Sequence, residues 1–246
     1  MTTAGQNSSR TPAFDIRGLK RSFGHVQALK GVDLRVDHGE CLAILGPNGA
    51  GKTTMIKVLS TVMRPSDGKV LIDGLDLRSH AEEIRRRIGV VTHQTFLYAN
   101  LTAFENLAFY SRLYDVSDHK QRIREVVAQV GMTSRINDRV GTFSRGMQQR
   151  ISIARSVLHQ PDIMLLDEPE SGLDQEAVSL LWETLRGDGQ RRRTILLITH
   201  SLDRGLEVCD RLVILDRGQV VYQNSGDALD AAGLRDAYRQ NTGVGL

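Results

Sequence analysis

The chain reads as an α/β protein: a parallel sheet with crossover helices, an antiparallel β part and an inserted helical lobe. Two patterns carry this expectation. Short apolar, β-rich runs alternate with helical periodicity along most of the chain, the order in which a parallel sheet is built. Between about Thr95 and Met147 that alternation stops and only helix-like patterns remain. A length of 246 residues fits one domain carrying such a lobe. A folded chain of this size buries roughly 70–75% of its extended surface and needs no disulfide or metal to hold it.

Taken in order, residues 1–12 are polar, lack the apolar core of a secretory signal, and read as a disordered tail. Phe14–Leu19 and Val32–Val36 alternate apolar with polar residues, as strands with one wet face do. Cys41–Leu45 is apolar throughout, the pattern of a strand covered on both faces, and a helix is expected over Thr53–Met63. Strands follow at Val70–Asp73 and Gly89–Thr92. Within the lobe, Ile123, Val126, Val127 and Val130 recur at helical spacing, and Gly131 with Asn137-Asp138 punctuates it as turns. Beyond it come strands at Ile163–Asp167, Thr194–Thr199, Leu212–Leu215 and Gln219–Tyr222, and a helical stripe of Val178, Leu181, Trp182 and Leu185. The resulting division is a single domain over 13–246, with core and β part in 13–93 and 149–225. The helical lobe occupies 94–148, and a short tail 226–246.

Composition narrows the function classes. With 40% hydrophobic and 25% charged residues the chain is neither disordered, collagen-like nor membrane-spanning in type. Its apolar runs, such as Ile163–Leu166, fall far below the ~18 residues of a spanning helix. Cys41 and Cys209 read as isolated buried thiols of a reducing compartment. A net charge of +3 slightly favours an acidic partner or membrane surface and does not indicate nucleic acid. Arg85-Arg86-Arg87 and Arg191-Arg192-Arg193 read as solvated helix ends, with a lipid headgroup as the next reading.

Two segments carry chemistry. Gly46-Pro47-Asn48-Gly49-Ala50-Gly51-Lys52-Thr53-Thr54 satisfies G-x-x-x-x-G-K-[ST] between a strand and a helix, the context a phosphate cradle requires. Glycines let backbone N–H groups turn toward phosphate oxygens, and the helix N-terminus adds its positive end. Lys52 brings a cation to the outer phosphates, and the Thr53 hydroxyl can ligate Mg2+. The second segment, Ile163–Asp167 with Glu168, is an apolar strand ending in two carboxylates, where open parallel sheets bind ligands. Asp167 is placed to hold Mg2+ through water, and Glu168 to orient or deprotonate an attacking water. The competing reading of the Asp-Glu pair alone is a solvated turn.

Together with further motifs in sequence, these segments make the chain resemble the ATP-binding subunits of ABC transporters over almost its full length. The resemblance implies a P-loop NTPase (RecA-like) core. Gln94 matches that family's Q-loop glutamine, which touches Mg2+. Phe143-Ser144-Arg145-Gly146-Met147-Gln148-Gln149-Arg150 lies where its signature segment belongs, with Ser144, Arg145 and Gly146 facing the nucleotide of a second subunit. Ser171-Gly172-Leu173-Asp174 matches the D-loop, His200 the switch histidine, and Phe23 the aromatic that stacks on adenine. Taken singly, Phe23 would be edge-strand core, Gln94 a solvated glutamine and His200 a satisfied strand-end histidine. Arg145 departs from the family pattern, which has a second glycine there, and Met147 replaces the usual glutamine. An outward-pointing Arg145 that leaves hydrolysis intact is the preferred reading.

The resemblance implies ATP and Mg2+ as cofactors and hydrolysis coupled to transport. It also implies a second ATPase subunit (a homodimer in the ATP-bound state), integral membrane permease subunits, and a peripheral place on the cytoplasmic face of the cell membrane. Leu101-Thr102-Ala103-Phe104-Glu105-Asn106-Leu107 resembles the surface that receives a permease helix. His93–Tyr98 with Leu101–Tyr110, and the Ser144–Arg150 form, look most like the haem-exporter ATPases of cytochrome c maturation (the CcmA group). Drug, antibiotic or polysaccharide exporters share much of this pattern. Soluble family members of DNA repair or translation carry long insertions or paired ATPase units that 246 residues do not accommodate. A non-hydrolysing regulator is disfavoured by the presence of both Glu168 and His200.

Overall fold

A computed structural model describes residues 11–187, 192–225 and 231–243, and among them two sheets share the protein. The first is antiparallel, in the order β2 (Val26–Val36), β1 (Phe14–Phe23), β4 (Asp67–Ile72) and β5 (Leu75–Asp76). The second runs in the order β10 (Gln219–Ser225), β9 (Arg211–Asp216), β3 (Cys41–Leu45), β8 (Thr194–Ile198), β7 (Ile163–Asp167) and β6 (Ile88–Val91). It is parallel from β9 to β6, and β10 closes its edge antiparallel to β9.

Two buried clusters explain why the central strands are apolar throughout. Leu42 and Ile44 of β3, with Ile163 and Leu165 of β7, face α1 (Lys52–Leu59) and the antiparallel sheet. Cys41, Ala43 and Leu45, with Met164 and Leu166, face the helices of the opposite side. Successive strand side chains alternate between faces, so a strand buried on both loses the alternating signature. In the antiparallel sheet Phe14, Ile16, Leu19, Val32, Leu34 and Val36 are the buried set, as the alternation predicts.

The lobe is helical. It holds α3 (Ala103–Leu113), α4 (His119–Gln129) and the start of α5 (Arg145–Val157). Helix α3 opens with a capping box: the Thr102 hydroxyl accepts from Glu105 N–H, and the Glu105 carboxylate accepts from Thr102 N–H. Ile123, Val126 and Val127 of α4 are fully buried, with Val130 just beyond. Helix α5 passes without a break through the 148/149 boundary into the core, burying Ile151, Ile153, Ala154 and Val157. The remaining helices are α2 (Ala81–Arg87), α6 (Gln175–Arg186), α7 (Leu202–Val208) and α8 (Ala231–Thr242).

Several elements differ from the sequence reading. Strands β1 and β2 extend to a hairpin at Phe23 and Val26, through Lys20, Arg21 and Ser22, whose polar side chains hide the strand from a hydrophobicity pattern. Helix α1 ends at Leu59 instead of Met63, because Thr61 takes a left-handed φ of 63°. Where a short C-terminal tail was expected, α8 packs Leu234 and Tyr238, four positions apart, into the core. Residues 1–10, 226–230 and 244–246, where terminal tails were expected, lie outside the described residues. Cys41 and Cys209 are free thiols but not isolated: their Sγ atoms lie 2.7 Å apart, and that contact with burial pushes the Cys209 thiol pKa up. Arg86 and Arg87 at the end of α2 pair with Glu82, Glu83, Asp73 and Asp115. Arg191 lies outside the described residues; Arg192 pairs with Asp210, and Arg193 donates to the carbonyls of Pro161, Thr184 and Leu185 on the way into β8, not at a helix end.

His159, just after α5, stacks on Tyr114 at 4.0 Å between ring centroids, and its Nε2 lies 3.0 Å from the Ile88 carbonyl. A neutral ring donating from Nε2 satisfies that carbonyl and leaves Nδ1 without a partner. Burial, reinforced by the Arg155, Arg193 and Arg122 charges, holds this imidazole down at about 4 against an ordinary 6.5. The unfolded chain therefore takes up a proton below pH 6.5 that the folded chain refuses down to about 4, and stability falls across that window as pH drops. His159→Phe should flatten this acid loss by about 5 °C in melting temperature, whatever its uniform cost at neutral pH. Parallel melting curves against pH for parent and variant would refute the assignment.

Candidate active site

The site forms where three parallel strands end level with one another. Ile44 of β3 and Asp167 of β7 both pair with Ile198 of β8, so Gly46, Glu168 and His200 emerge along the same edge. Each strand is placed by burial of its apolar side chains, and the polar residues begin where burial stops.

After β3 the chain turns through Gly46–Gly51 into α1. Gly51 sits at the helix N-cap with φ of 107° and gives no side-chain cap, which leaves the first helical N–H groups open to an anion. A Cβ on Gly46 would collide with the Leu215 carbonyl, and one on Gly51 with the Ala28 carbonyl, so the loop's close approach to β2 and β9 requires glycine. Lys52 Nζ donates to the Gly46 and Pro47 carbonyls at 2.6 and 2.9 Å. Burial pulls its ammonium pKa down, while Glu168 and Asp167 oppose that pull. Ala28, Asn48, Gly49, Ala50, Gly51, Lys52, Thr53 and Thr54 line a cavity of about 210 Å³ with Asp167 and Glu168.

The Thr53 hydroxyl donates to Asp167 Oδ2 at 3.3 Å. Desolvation holds the Asp167 carboxyl above its usual range, and Glu168 adds to the shift. Two oxygen donors on a part-buried, electron-rich spot beside a phosphate cradle suit a hard cation such as Mg2+. Glu168 has a left-handed φ of 49° and its N–H donates to the Ile198 carbonyl at 3.0 Å. Its Oε1 lies 3.1 Å from His200 Nδ1, with both side chains open to solvent, 40% and 77% exposed.

The other candidate residues are dispersed around this centre. Gln94 lines a neighbouring cavity of about 390 Å³ with His93, Arg145, Gln148, Gln149 and Ser171. Phe23 stands exposed at the end of β1, one face covered by the Arg21 guanidinium at 4.7 Å from the ring centroid. Ser144 caps α5 by accepting from Met147 N–H at 3.3 Å. Gly146 packs so closely that a Cβ would lie 3.1 Å from the Gly172 carbonyl. Arg145 is exposed, its stem passing over Gly172 and its Nη2 lying 3.5 Å from Ser171 Oγ. Asp174 caps α6, accepting from Ala177 N–H at 2.8 Å.

The sequence reading assigned no role to Gln149 or Glu170. Gln149 is buried and donates to the Pro169 carbonyl at 3.1 Å, fixing the peptide that follows Glu168. Glu170 meets Trp182 and Arg204, partners that only the fold brings near. A larger cavity of about 510 Å³ beside α4 and α6 contains none of the phosphate-loop or strand-end groups.

The buried carboxyl at Asp167 makes the site expensive to fold. It keeps its proton to higher pH in the folded chain than in the unfolded one, so deprotonation weighs against folding as pH rises. Asp167→Asn, which still accepts from Thr53, should melt about 2–5 °C higher than the parent at pH 7 without nucleotide. The gap should narrow in acid. A variant that melts lower than the parent would contradict this.

Comparison with known proteins identifies the family. Residues 29–171 match the family described as ABC transporter. The chain is 38% identical over 207 residues to the ABC transporter ATP-binding protein NatA of Bacillus subtilis (strain 168), covering 83% of this chain and 84% of that one. It is 36% identical to the Nod factor export ATP-binding protein I of Rhizobium sp. (strain N33), covering 88% and 72%. It is 34% identical to the daunorubicin resistance ATP-binding protein DrrA3 of Streptomyces coeruleorubidus, covering 89% and 70%. Among solved structures, an ATP-binding subunit of an ABC transporter superposes with a TM-score of 0.82 at 29% identity, covering 95% of both chains. A dimeric post-hydrolysis state of the ATP-binding cassette MJ0796, bound to ADP and Pi, gives 0.78 at 26%, covering 86% and 98%. The names of these relatives do not support the haem-exporter resemblance drawn from residues 93–110 and 144–150. The P-loop NTPase core, in contrast, is upheld. The chain belongs to the ABC transporter family as an ATP-binding subunit, a cassette whose ATP hydrolysis is coupled to transport.

Proposed function

We propose that this protein powers an exporter of the drug, antibiotic or polysaccharide class, as a homodimer under separate integral membrane permease subunits at the cytoplasmic face. The names of its relatives, Nod factor export and daunorubicin resistance, support that cargo class over haem. The observation that carries the dimer is the incompleteness of the site. A cavity of about 210 Å³ falls short of the ~300–1,000 Å³ that encloses a small ligand, so one chain supplies one wall. The capped N-terminus of α5, with Ser144 and Gly146, supplies the opposite wall from a second copy. No helix among the described residues is long and apolar enough to cross a membrane. Exposed Phe96, Tyr98, Phe109 and Leu113 beside α3 offer the permease an apolar surface.

ATP with Mg2+, when bound, supplies the scissile terminal phosphate and the charge that neutralises it. Lys52 exchanges the Gly46 and Pro47 carbonyls for phosphate oxygens, and the open N–H groups of α1 bind the chain behind it. Thr53 and Asp167 would hold the cation, and Gln94, in its neighbouring cavity, would be the third residue to contact it. Glu168 accepts the proton of the attacking water, and His200 orients that carboxylate from Nδ1. Phe23 offers its free face to adenine. Asp174 keeps the D-loop in register by capping α6.

Glu168→Gln should lower phosphate release by ~10²–10⁴-fold while ATP binding persists and the closed dimer accumulates, measured by small-angle scattering at saturating ATP. Undiminished hydrolysis would remove Glu168 as the base, and a monomer at saturation would remove the dimer. Arg145→Gly should leave hydrolysis within about threefold of the parent, since the side chain lies on the D-loop surface and takes only a long contact to Ser171. A complete loss would place Arg145 on the phosphate instead.

A further inference from the structure

The contact between Glu168 and His200 poses a physical problem that the residues around it answer. Both side chains are exposed, and an exposed ion pair contributes only about 0–1 kcal/mol, too little to hold a histidine in one place. Two residues further along the same loop, Glu170 makes a second carboxylate–cation pair to the same helix start. Its Oε1 accepts from Trp182 Nε1 at 2.5 Å, and Arg204 Nε lies 2.8 and 3.0 Å from its two oxygens. Glu170 and Arg204 are 26% and 24% exposed, and Trp182 only 6%.

Arg204 is held on its far side by Glu207 at 2.6 Å, and its own N–H donates to Ser201 Oγ, the cap of α7. Ser201 directly follows His200, so the place of Arg204 sets the place of His200. On the other side, Gln149 fixes the Pro169 carbonyl between Glu168 and Glu170. Two pairs thus bridge one pair of segments, an exposed one that reacts and a sheltered one that holds.

We propose that Glu170 is a positioning residue which, through Arg204, holds His200 at bonding distance from Glu168. This rests on the reading of Glu168 as the base. Loss of the pair lets the start of α7 drift from the strand end, and displacements on the scale of 1 Å are costly at a reacting centre. Nucleotide binding, carried by the phosphate loop and the start of α1, is left in place.

The test uses the full chain with Glu170→Gln, which can still accept from Trp182, with Arg204→Gln, and with both together. Each single variant should lower kcat about tenfold with KM for ATP within about twofold, and the double variant should be no slower than the slower single. Arg204→Lys should recover part of the loss. Trp182 is the chain's only tryptophan, so an unchanged emission maximum verifies that the packing around Glu170 survives. Turnover within about twofold of the parent in both single variants overturns the proposal. So do losses that multiply in the double variant, or a joint fall of kcat, ATP affinity and melting temperature. Glu168→Gln assayed alongside separates the two readings: turnover retained there overturns the base, while full turnover in Glu170→Gln and Arg204→Gln overturns the positioning role alone.

Discussion

The level endings of β3, β8 and β7 are the constraint on which the rest of this protein depends. Parallel pairing of Ile44 and Asp167 with the same Ile198 places a phosphate loop, two carboxylates and a histidine along one edge, although the loop precedes the other groups by more than a hundred residues. A parallel ladder is stable only when both faces are covered, which is why α1 with the antiparallel sheet lies on one side and α5, α6, α7 and α8 on the other. The helical layers therefore serve the site indirectly. They keep the strands in register, and register keeps the polar ends together.

At that edge the protein accepts local instability for function. Lys52 is desolvated and spends its hydrogen bonds on loop carbonyls, Asp167 is buried as a carboxylate, and Glu168 adopts a left-handed backbone. Each would be relieved by a blander residue, and each makes sense only beside a charged ligand. The surroundings compensate with neutral or sheltered bonds, Gln149 to Pro169 and Trp182 to Glu170, that are stronger anchors than exposed ion pairs.

In the proposed homodimer the cassette supplies one of two facing surfaces. Asn48 and Gly49 of its phosphate loop are exposed, and its capped α5 N-terminus presents Ser144 outward, with Arg145 laid over Gly172. A ligand that bridges the two surfaces across a pair of subunits favours the closed arrangement through contacts it loses on hydrolysis, the differential contact that any ligand-driven switch requires. The aromatic residues beside α3 are ordered by the same lobe: Tyr110 donates to the Phe96 carbonyl, and Arg155 lies against both rings.

Much of this was legible before folding. The strand–loop–helix around Lys52, the apolar strand ending in Asp167 and Glu168, and the helical lobe are local patterns, and local patterns survive in a sequence because burial and backbone conformation act over a few residues. The hairpin extension through Lys20–Phe23 and the buried face of α8 were missed because polar residues mask the first and a short stripe of Leu234, Ala237 and Tyr238 marks the second. The names of the relatives do not support the cargo resemblance drawn from residues 93–110 and 144–150; in the fold this stretch includes Asn106, buried in backbone contacts, beside exposed Phe96, Tyr98 and Phe109. What only the tertiary structure decided is which distant groups meet: His200 with Glu168, Glu170 with Trp182 and Arg204, Cys41 with Cys209. Residue order sets the chemistry each segment can perform. Which segments act together depends on strand register and helix packing, because hydrogen bonds and charge contacts reach only a few ångströms and the chain must fold before they exist.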